Sequence, residues 1–196
     1  MRKVIYSMMT SLDGFIERTP PADARPNDPT LLDWVIIDEE LHSFANAEAR
    51  EAGAFLYGRR LYENMAAFWP TAEALPDMPG YVFDFARIWK SKPKIVFSRT
   101  LDKVEWNSRL VKGDIAEEVE RLKQEPGGYL TVGGANLAST LIDLGLIDEI
   151  RLIVHPVVIG SGTPFFPPVP NTMNLRLLET ITFGSGVVYL RYDVNR

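Results

Sequence analysis

Short apolar runs alternate along the chain with segments in which apolar residues recur at every third or fourth position. The first pattern predicts buried β-strands and the second predicts amphipathic helices. The apolar runs fall, in chain order, at residues 4–8, 54–57, 94–97, 129–132, 149–158, 175–183 and 186–194. A helical pattern follows each of the first four runs, and these helices begin at or just after Asp38, Gly58, Asp114 and Gly134.

The order of these elements predicts the fold class. Strands separated by helices favour parallel crossover connections, whereas the last two apolar runs predict a closing antiparallel hairpin. The proline-rich segments 20–29 and 70–80 predict loops. We therefore expect an α/β fold, with a mixed, mainly parallel sheet, helices on both of its faces and one domain over residues 1–196.

Composition narrows the classes of function. The chain has 196 residues, no cysteine and two histidines, which excludes disulfides and thiolate metal sites and argues against any metal centre. A net charge of -5 argues against a nucleic-acid-binding protein, which needs a basic face. No apolar run is long enough to cross a membrane, and the first residues lack a signal-peptide pattern, so we expect a cytoplasmic protein.

The turn at Gly133 and Gly134 is the strongest functional signal. An apolar run ends there, and a helix with no charged residue in its first turn follows. Glycines let a phosphate approach the backbone closely, and the free N–H groups of a helix N-terminus favour an anion. The alternative interpretation is a tight turn between a strand and a helix that binds no ligand.

Two more strand ends carry residues suited to phosphate. One has Gly58, Arg59 and Arg60, and the other has Ser98, Arg99 and Thr100. Hydroxyl groups and a planar guanidinium suit a phosphate monoester, although solvent-exposed arginines after strands are also common. Ligands of open α/β sheets bind beyond the carboxyl ends of the strands, so the coincidence of three such ends predicts one crevice.

The residues for catalysis are less clearly indicated. Asp13 follows the first strand, where it is a candidate for contacting a substrate, but Asp before Gly is also common turn chemistry. Glu40 and His42 lie early in the first helix, where either is a candidate proton donor, with water as a further alternative. Acidic residues in a first helical turn also have a purely electrostatic explanation. His155, inside an apolar run, is interpreted as structural.

Five short segments occur in a particular order along the chain. They are Ser11-Leu-Asp-Gly-Phe-Ile, Gly58-Arg59-Arg60-x-Tyr62-Glu63, Ser98-Arg99-Thr100, Val132-Gly-Gly-Ala-Asn and His155-Pro-Val-Val-Ile-Gly-Ser-Gly. In this order they resemble the reductase domain at the C-terminus of the bacterial riboflavin biosynthesis protein RibD, within the dihydrofolate-reductase-like superfamily. The resemblance extends over nearly the whole chain. These 196 residues do not contain the zinc-binding residues of the deaminase domain of that family, so we expect a stand-alone reductase domain.

This resemblance implies a dihydrofolate-reductase-like fold with a central sheet of about eight strands, and NADPH as hydride donor. Gly58, Arg59 and Arg60 would lie near the cofactor phosphates, and Ser98, Arg99 and Thr100 would hold the 2′-phosphate. The pyrophosphate would rest on Gly133, Gly134, Ala135 and Asn136. Asp13 would lie beside the nicotinamide and substrate, and Glu40 or His42 would lie near the position of the helical carboxylate of dihydrofolate reductase.

The leading hypothesis is therefore an NADPH-dependent reductase of a pyrimidine, a pteridine or a related heterocycle, similar to 5-amino-6-(5-phosphoribosylamino)uracil reductase. The alternatives are a non-catalytic, dimeric NADP-binding module and a dihydrofolate reductase proper. NADPH oxidation with a heterocyclic substrate would exclude the first alternative, and methotrexate binding would favour the second. The apolar C-terminal hairpin further predicts a homodimer.

Overall fold

The computed structural model describes residues 1–21, 28–169 and 172–195, which form ten strands and five α-helices. The strands are β1 (Val4–Ser11), β2 (Phe15–Arg18), β3 (Ala54–Gly58), β4 (Lys94–Phe97), β5 (Ser108–Val111), β6 (Leu130–Gly133), β7 (Glu149–His155), β8 (Gly162–Pro164), β9 (Leu175–Thr182) and β10 (Val188–Val194). The helices are α1 (Glu39–Glu51), α2 (Arg59–Phe68), α3 (Gly80–Ser91), α4 (Ile115–Gln124) and α5 (Ala135–Asp143). Short 3₁₀ helices lie at Pro29–Leu32 and Ala72–Ala74.

Eight of these strands form one sheet in the order β5-β4-β3-β6-β1-β7-β10-β9. The first six are parallel to one another, and β10 and β9 add an antiparallel hairpin at one edge. The remaining strands, β2 and β8, pair with each other in a small antiparallel sheet. The predicted mixed, mainly parallel sheet with a closing hairpin is thus confirmed.

Helices cover both faces of the sheet, as the sequence predicts. Because side chains alternate along a strand, Ala54 and Leu56 of β3 face the cluster formed with α4 and α5. Phe55 and Tyr57 face the opposite cluster, which includes residues of α1, α2 and α3. The sheet is therefore the middle layer of three.

Local capping explains where two of the predicted helices begin. Asp38 accepts a hydrogen bond from the backbone N–H of Leu41 at 2.8 Å, and Asp114 accepts one from Glu117 at 2.9 Å. Helix α1 ends at Glu51, and Gly53, just beyond its end, also has a packing reason. A Cβ at Gly53 would lie 2.5 Å from the carbonyl oxygen of Gly128, so two backbone segments meet there.

The structure adds elements that the sequence analysis lacks. Helix α3 and the strands β2, β5 and β8 have no counterpart among the predicted elements. The apolar run 149–158 ends as a strand at His155, because Pro156 lacks the N–H needed to continue the ladder. Most of the predicted 20–29 loop lies outside the described residues. No helix among the described residues is long and apolar enough to cross a membrane.

Lys94, the first residue of β4, is a buried cation. Its side chain is 0% exposed, and its Nζ donates to the carbonyl oxygens of Trp89 at 2.6 Å and Lys92 at 2.9 Å. The same Nζ lies 4.1 Å from the centroid of the Trp89 ring. Burial lowers the pKa of Lys94 to about 8, because the charged form is poorly solvated there.

Lys94 therefore predicts a pH dependence of stability. Between about pH 8 and about pH 10.5 the unfolded chain binds more protons at this position than the folded chain, so the free energy of unfolding rises with pH. The variant Lys94→Met lacks this contribution. Urea unfolding measures the free energy of unfolding of both proteins. From about pH 8 to about pH 10.5, this free energy should rise by roughly 2–3 kcal/mol in wild type relative to Lys94→Met. A difference that stays constant with pH would contradict the assignment.

Candidate active site

A cavity of about 500 Å³ lies against the sheet on the side of α1, α2 and α3. This volume is in the range of sites that hold small molecules. Most of its lining is apolar or aromatic, contributed by β1, α1, α2, α3 and the segment before α1. Examples are Met9, Ile36, Phe44, Met65, Trp69 and Phe85. The cavity is thus suited to a largely apolar, planar ligand.

The three predicted phosphate-binding segments lie at one edge of the sheet. Strands β4, β3 and β6 are adjacent and parallel, so the residues that follow them emerge side by side. Arg59 Nη1 donates to Thr100 Oγ1 at 3.1 Å, which joins the β3 and β4 segments directly. The structure therefore brings together the residues predicted for the cofactor, namely Gly58, Arg59, Arg60, Ser98, Arg99, Thr100, Gly133, Gly134, Ala135 and Asn136.

The turn at Gly133 and Gly134 has a structural reason for both glycines. A Cβ at Gly133 would lie 2.4 Å from Leu61 Cδ2, and Gly134 has a φ of 93°, which L side chains rarely adopt. Gly134 caps α5 without a side-chain hydrogen bond, and the first turn of α5 holds no acidic residue. The first N–H groups of α5 lack helical partners and favour an anion. Gly133 also lines the cavity, so the turn borders both the cavity and the N-terminus of α5.

The arginines at this edge differ in their partners. Arg60 pairs with Glu17 at 2.9 Å, and Arg59 lies 3.6 Å from Glu63. Arg99 is exposed and has no hydrogen bond or ion pair with any residue in the described ranges. It therefore offers an uncommitted guanidinium at the end of β4.

The two predicted catalytic carboxylates hold loops. Asp13 accepts hydrogen bonds from the N–H groups of Ile159 at 3.2 Å and Gly160 at 2.8 Å, and a hydrogen bond from Ser11 lowers the pKa of Asp13. Glu40 accepts from the N–H of Gly184 at 2.9 Å. Neither carboxylate lines the cavity. These contacts are structural, and the catalytic roles of Asp13 and Glu40 stay predictions.

The two histidines differ in position. His42 lines the cavity among aromatic rings, with its own ring centroid 4.8 Å from that of Tyr81, and burial lowers the pKa of His42. His155 is fully buried, accepts a hydrogen bond from the N–H of Ile36 at 3.2 Å and packs edge-on against Trp34. The structural interpretation of His155 is in agreement with these contacts.

A charged cluster in the cavity was missed in the sequence analysis. Arg151 contacts the Glu48 carboxylate and the Tyr129 hydroxyl, the latter at 3.2 Å, and its Nε donates to Glu149 Oε1 at 2.7 Å. Tyr189 OH lies 3.4 Å from Glu48 Oε2. Burial opposes the charge on Arg151, but Glu48 and its other neighbours raise the pKa of Arg151 above its ordinary value. The cluster is therefore a charge-compensated patch in an apolar cavity.

Two sequence signals point to this cluster. Glu48 shares the stripe of α1 that holds Phe44 and Ala45, since positions three and four apart lie on one helix face. Arg151 interrupts the apolar run of β7. A charged residue on an apolar face is costly to bury unless it is paired, so both positions indicate a partner elsewhere in the fold.

Comparison with known proteins agrees with the fold. The model of the family described as the RibD C-terminal domain matches residues 2–189. Protein YyaP of Bacillus subtilis is 36% identical over 200 aligned residues, which cover 99% of this chain and 96% of that protein.

Two solved structures show the same fold. A Shewanella protein assigned to riboflavin biosynthesis has a TM-score of 0.73 at 21% identity, over 99% of each chain. Dihydrofolate reductase of Enterococcus faecalis, complexed with NADP(H), has a TM-score of 0.65 at 14% identity, over 99% of this chain and 97% of that one. These likenesses confirm the predicted dihydrofolate-reductase-like fold, and the family match confirms that the chain belongs to the RibD C-terminal domain family.

Proposed function

We propose that this protein is an NADPH-dependent reductase that transfers hydride to a C=N or C=O bond of a pyrimidine, a pteridine or a related heterocycle. The observation that carries the proposal is the position of Gly133. This residue opens the predicted pyrophosphate turn and also lines the 500 Å³ cavity. A nicotinamide reaching in from that turn would therefore lie beside a ligand in the cavity.

The residues at the sheet edge fit such a cofactor. A Cβ at Gly58 would have Leu137 Cβ at 3.9 Å as its nearest neighbour, so the space above Gly58 is open. In the proposal, Gly133, Gly134, Ala135 and Asn136 hold the pyrophosphate at the N-terminus of α5. Arg59 and Arg60 lie near the phosphates, and Ser98, Arg99 and Thr100 hold the 2′-phosphate.

In the proposal NADPH provides the redox chemistry, because it supplies the hydride when bound. The chain contributes binding, orientation and the exclusion of water by the apolar walls of the cavity. Among the candidate proton donors, His42 lines the cavity and Glu40 does not. Burial lowers the pKa of His42, so its neutral form is favoured at pH 7. In the proposal, His42 would therefore relay a proton and would not carry a permanent positive charge.

The family relationship supports the proposal. The match to the RibD C-terminal domain covers nearly the whole chain, and the similar dihydrofolate reductase of Enterococcus faecalis is complexed with NADP(H). Another protein of the same fold, at a TM-score of 0.57, is described as pyrimidine reductase-like. The NADP(H) complex supports the proposed cofactor, and the pyrimidine reductase-like description supports a ring as the proposed substrate.

The first prediction concerns the choice of cofactor. Wild type should bind NADPH more tightly than NADH, and Arg99→Ala should reduce that preference by about tenfold, because one charge-assisted phosphate contact is lost. Arg176→Ala is the matched control. It removes an exposed arginine of the edge strand β9, which is remote from β3, β4 and β6 in the strand order, and it should leave the preference for NADPH unchanged. Titration by nicotinamide fluorescence measures the affinity of each of the three proteins for NADPH and for NADH. Equal binding of NADPH and NADH by wild type would refute the 2′-phosphate site.

The second prediction uses the open space above Gly58. Gly58→Ala should leave the free energy of unfolding within about 0.5 kcal/mol of wild type, since the new Cβ makes only an ordinary contact. NADPH affinity should fall at least about tenfold, because the methyl group occupies the approach of a phosphate. Gly80→Ala, whose Cβ would meet nothing within 4 Å, is the control. Unchanged affinity in Gly58→Ala would place the phosphates elsewhere.

We further propose that the protein forms a homodimer through the β9–β10 hairpin. Strand β9 is an edge strand of the large sheet, and it exposes Leu177 and Leu178. An exposed apolar edge strand favours pairing with a second copy.

Light scattering tests the proposed homodimer. Wild type should have about twice the chain mass of 22.1 kDa, and Leu177→Asp should shift the population toward monomer because it places a charge in the interface. A wild type that stays monomeric at high concentration would reject the dimer.

A further inference from the structure

The cavity holds one arginine and no lysine among the described residues that line it. That arginine, Arg151, has a side chain only 5% exposed. A phosphate or carboxylate on a ligand needs a cation or several N–H donors to offset its lost hydration. Among the described side chains that line the cavity, Arg151 is therefore the cation that could pair with such an anion.

Arg151 is already committed to two carboxylates. Its Nη1 contacts Glu48, while its Nε and Nη2 both lie 2.7 Å from Glu149 Oε1. Its guanidinium carbon also lies 4.6 Å from the centroid of the Tyr129 ring. Glu149 also accepts from Arg191, from Nε at 2.7 Å on the same Oε1 and from Nη2 at 3.2 Å on Oε2. An anionic ligand would have to displace Glu48 to reach Arg151.

Glu48 makes the cavity unfavourable for anions. Its Oε2 faces Arg151 and Tyr189, whereas no hydrogen bond joins its Oε1 to any of the described residues. A carboxylate oxygen without a partner accepts an N–H group and repels a second negative charge. With apolar walls around it, such repulsion is screened less than in water.

The remaining walls favour a flat ring. Phe44, Trp69 and Phe85 present aromatic surfaces, and Met8, Met9 and Met65 present thioethers that adapt to a ring face. Among the polar groups of the lining, the Tyr129 and Tyr189 hydroxyls lie at the Glu48–Arg151 pair, and His42 lies among the aromatic rings. The cavity thus combines aromatic and thioether walls with one charged cluster.

We propose that the cavity takes an uncharged, planar heterocycle that carries neither phosphate nor carboxylate, and that the Glu48–Arg151 pair enforces this selection. The inference rests on the proposed reductase function and narrows its substrate class. It separates this chain from a reductase of phosphoribosylated uracils, whose substrate brings a phosphate. In this proposal Glu48 is a specificity residue that faces the ligand.

Two matched pairs of ligands test the selection without cofactor present. Pterin is compared with pterin-6-carboxylate, and riboflavin with riboflavin 5′-phosphate, by isothermal titration calorimetry near pH 7. The neutral member should bind at least about tenfold more tightly in each pair that binds. Equal or tighter binding of the charged member overturns the inference, and so does a failure of all four ligands to bind.

The variant Glu48→Gln gives a sharper test, because it releases one face of Arg151 while keeping nearly the same shape. The preference for the neutral ligand should fall at least about fivefold, and the charged member should bind more tightly than it does to wild type. Glu39→Gln, an exposed carboxylate in the first turn of the same helix that does not line the cavity, is the control and should keep the wild-type preference. An unchanged preference in Glu48→Gln overturns the role of the pair. Thermal unfolding of both variants shows whether they fold, and the wild-type ratio decides alone if Glu48→Gln does not.

NADPH titration of the same samples separates this inference from the proposed function. Loss of ligand selectivity with normal NADPH binding refutes the substrate class alone. A protein that selects the neutral ligands but does not bind NADPH refutes the reductase function alone.

Discussion

Parallel pairing of β3 and β1 with the strand between them, β6, is the constraint on which the site depends. Leu130 of β6 is in register with Val4 of β1 and with Ala54 of β3, so the three strands run together and end at the same edge. Strand β4 joins β3 in the same direction. Turns that are far apart in sequence therefore emerge side by side, and helices that follow them must cross to the faces of the sheet. The candidate cofactor edge is a consequence of this topology.

The cavity depends on a second arrangement, in which charges are buried in compensating pairs. Arg151 binds both Glu48 and Glu149, and Arg191 binds Glu149 as well. Burial raises the pKa of Glu149, but the hydrogen bonds from the two arginines lower it further, so the pKa of Glu149 lies below its ordinary value. Removing one partner would leave an uncompensated charge in a low-dielectric region, which costs several kcal/mol. The network thus links α1 to β7 beside the cavity.

Features with local causes were predictable from the sequence. The caps at Asp38 and Asp114, the apolar runs of the central strands and the turn at Gly133 and Gly134 each follow from neighbouring residues. Helix α3 was not predicted, although its buried residues Val82, Ala86 and Trp89 have the spacing of a helical stripe, because the proline-rich segment before it favoured a loop. The roles of Asp13 and Glu40 depend on N–H groups of Gly160 and Gly184, which lie more than a hundred positions away. Glu48 and Arg151 are also more than a hundred positions apart. Each residue, as a charge on an apolar face, therefore indicated that it needs a partner but did not identify that partner.

A crystal structure of the protein with NADP⁺ tests the central claim most directly. We expect the pyrophosphate to lie within hydrogen-bonding distance of the backbone N–H groups at the start of α5. The 2′-phosphate should lie beside Arg99. We also expect the nicotinamide ring at Gly133, facing the cavity beneath α1. A nucleotide bound at another edge of the sheet, or a nicotinamide turned away from the cavity, would contradict the account.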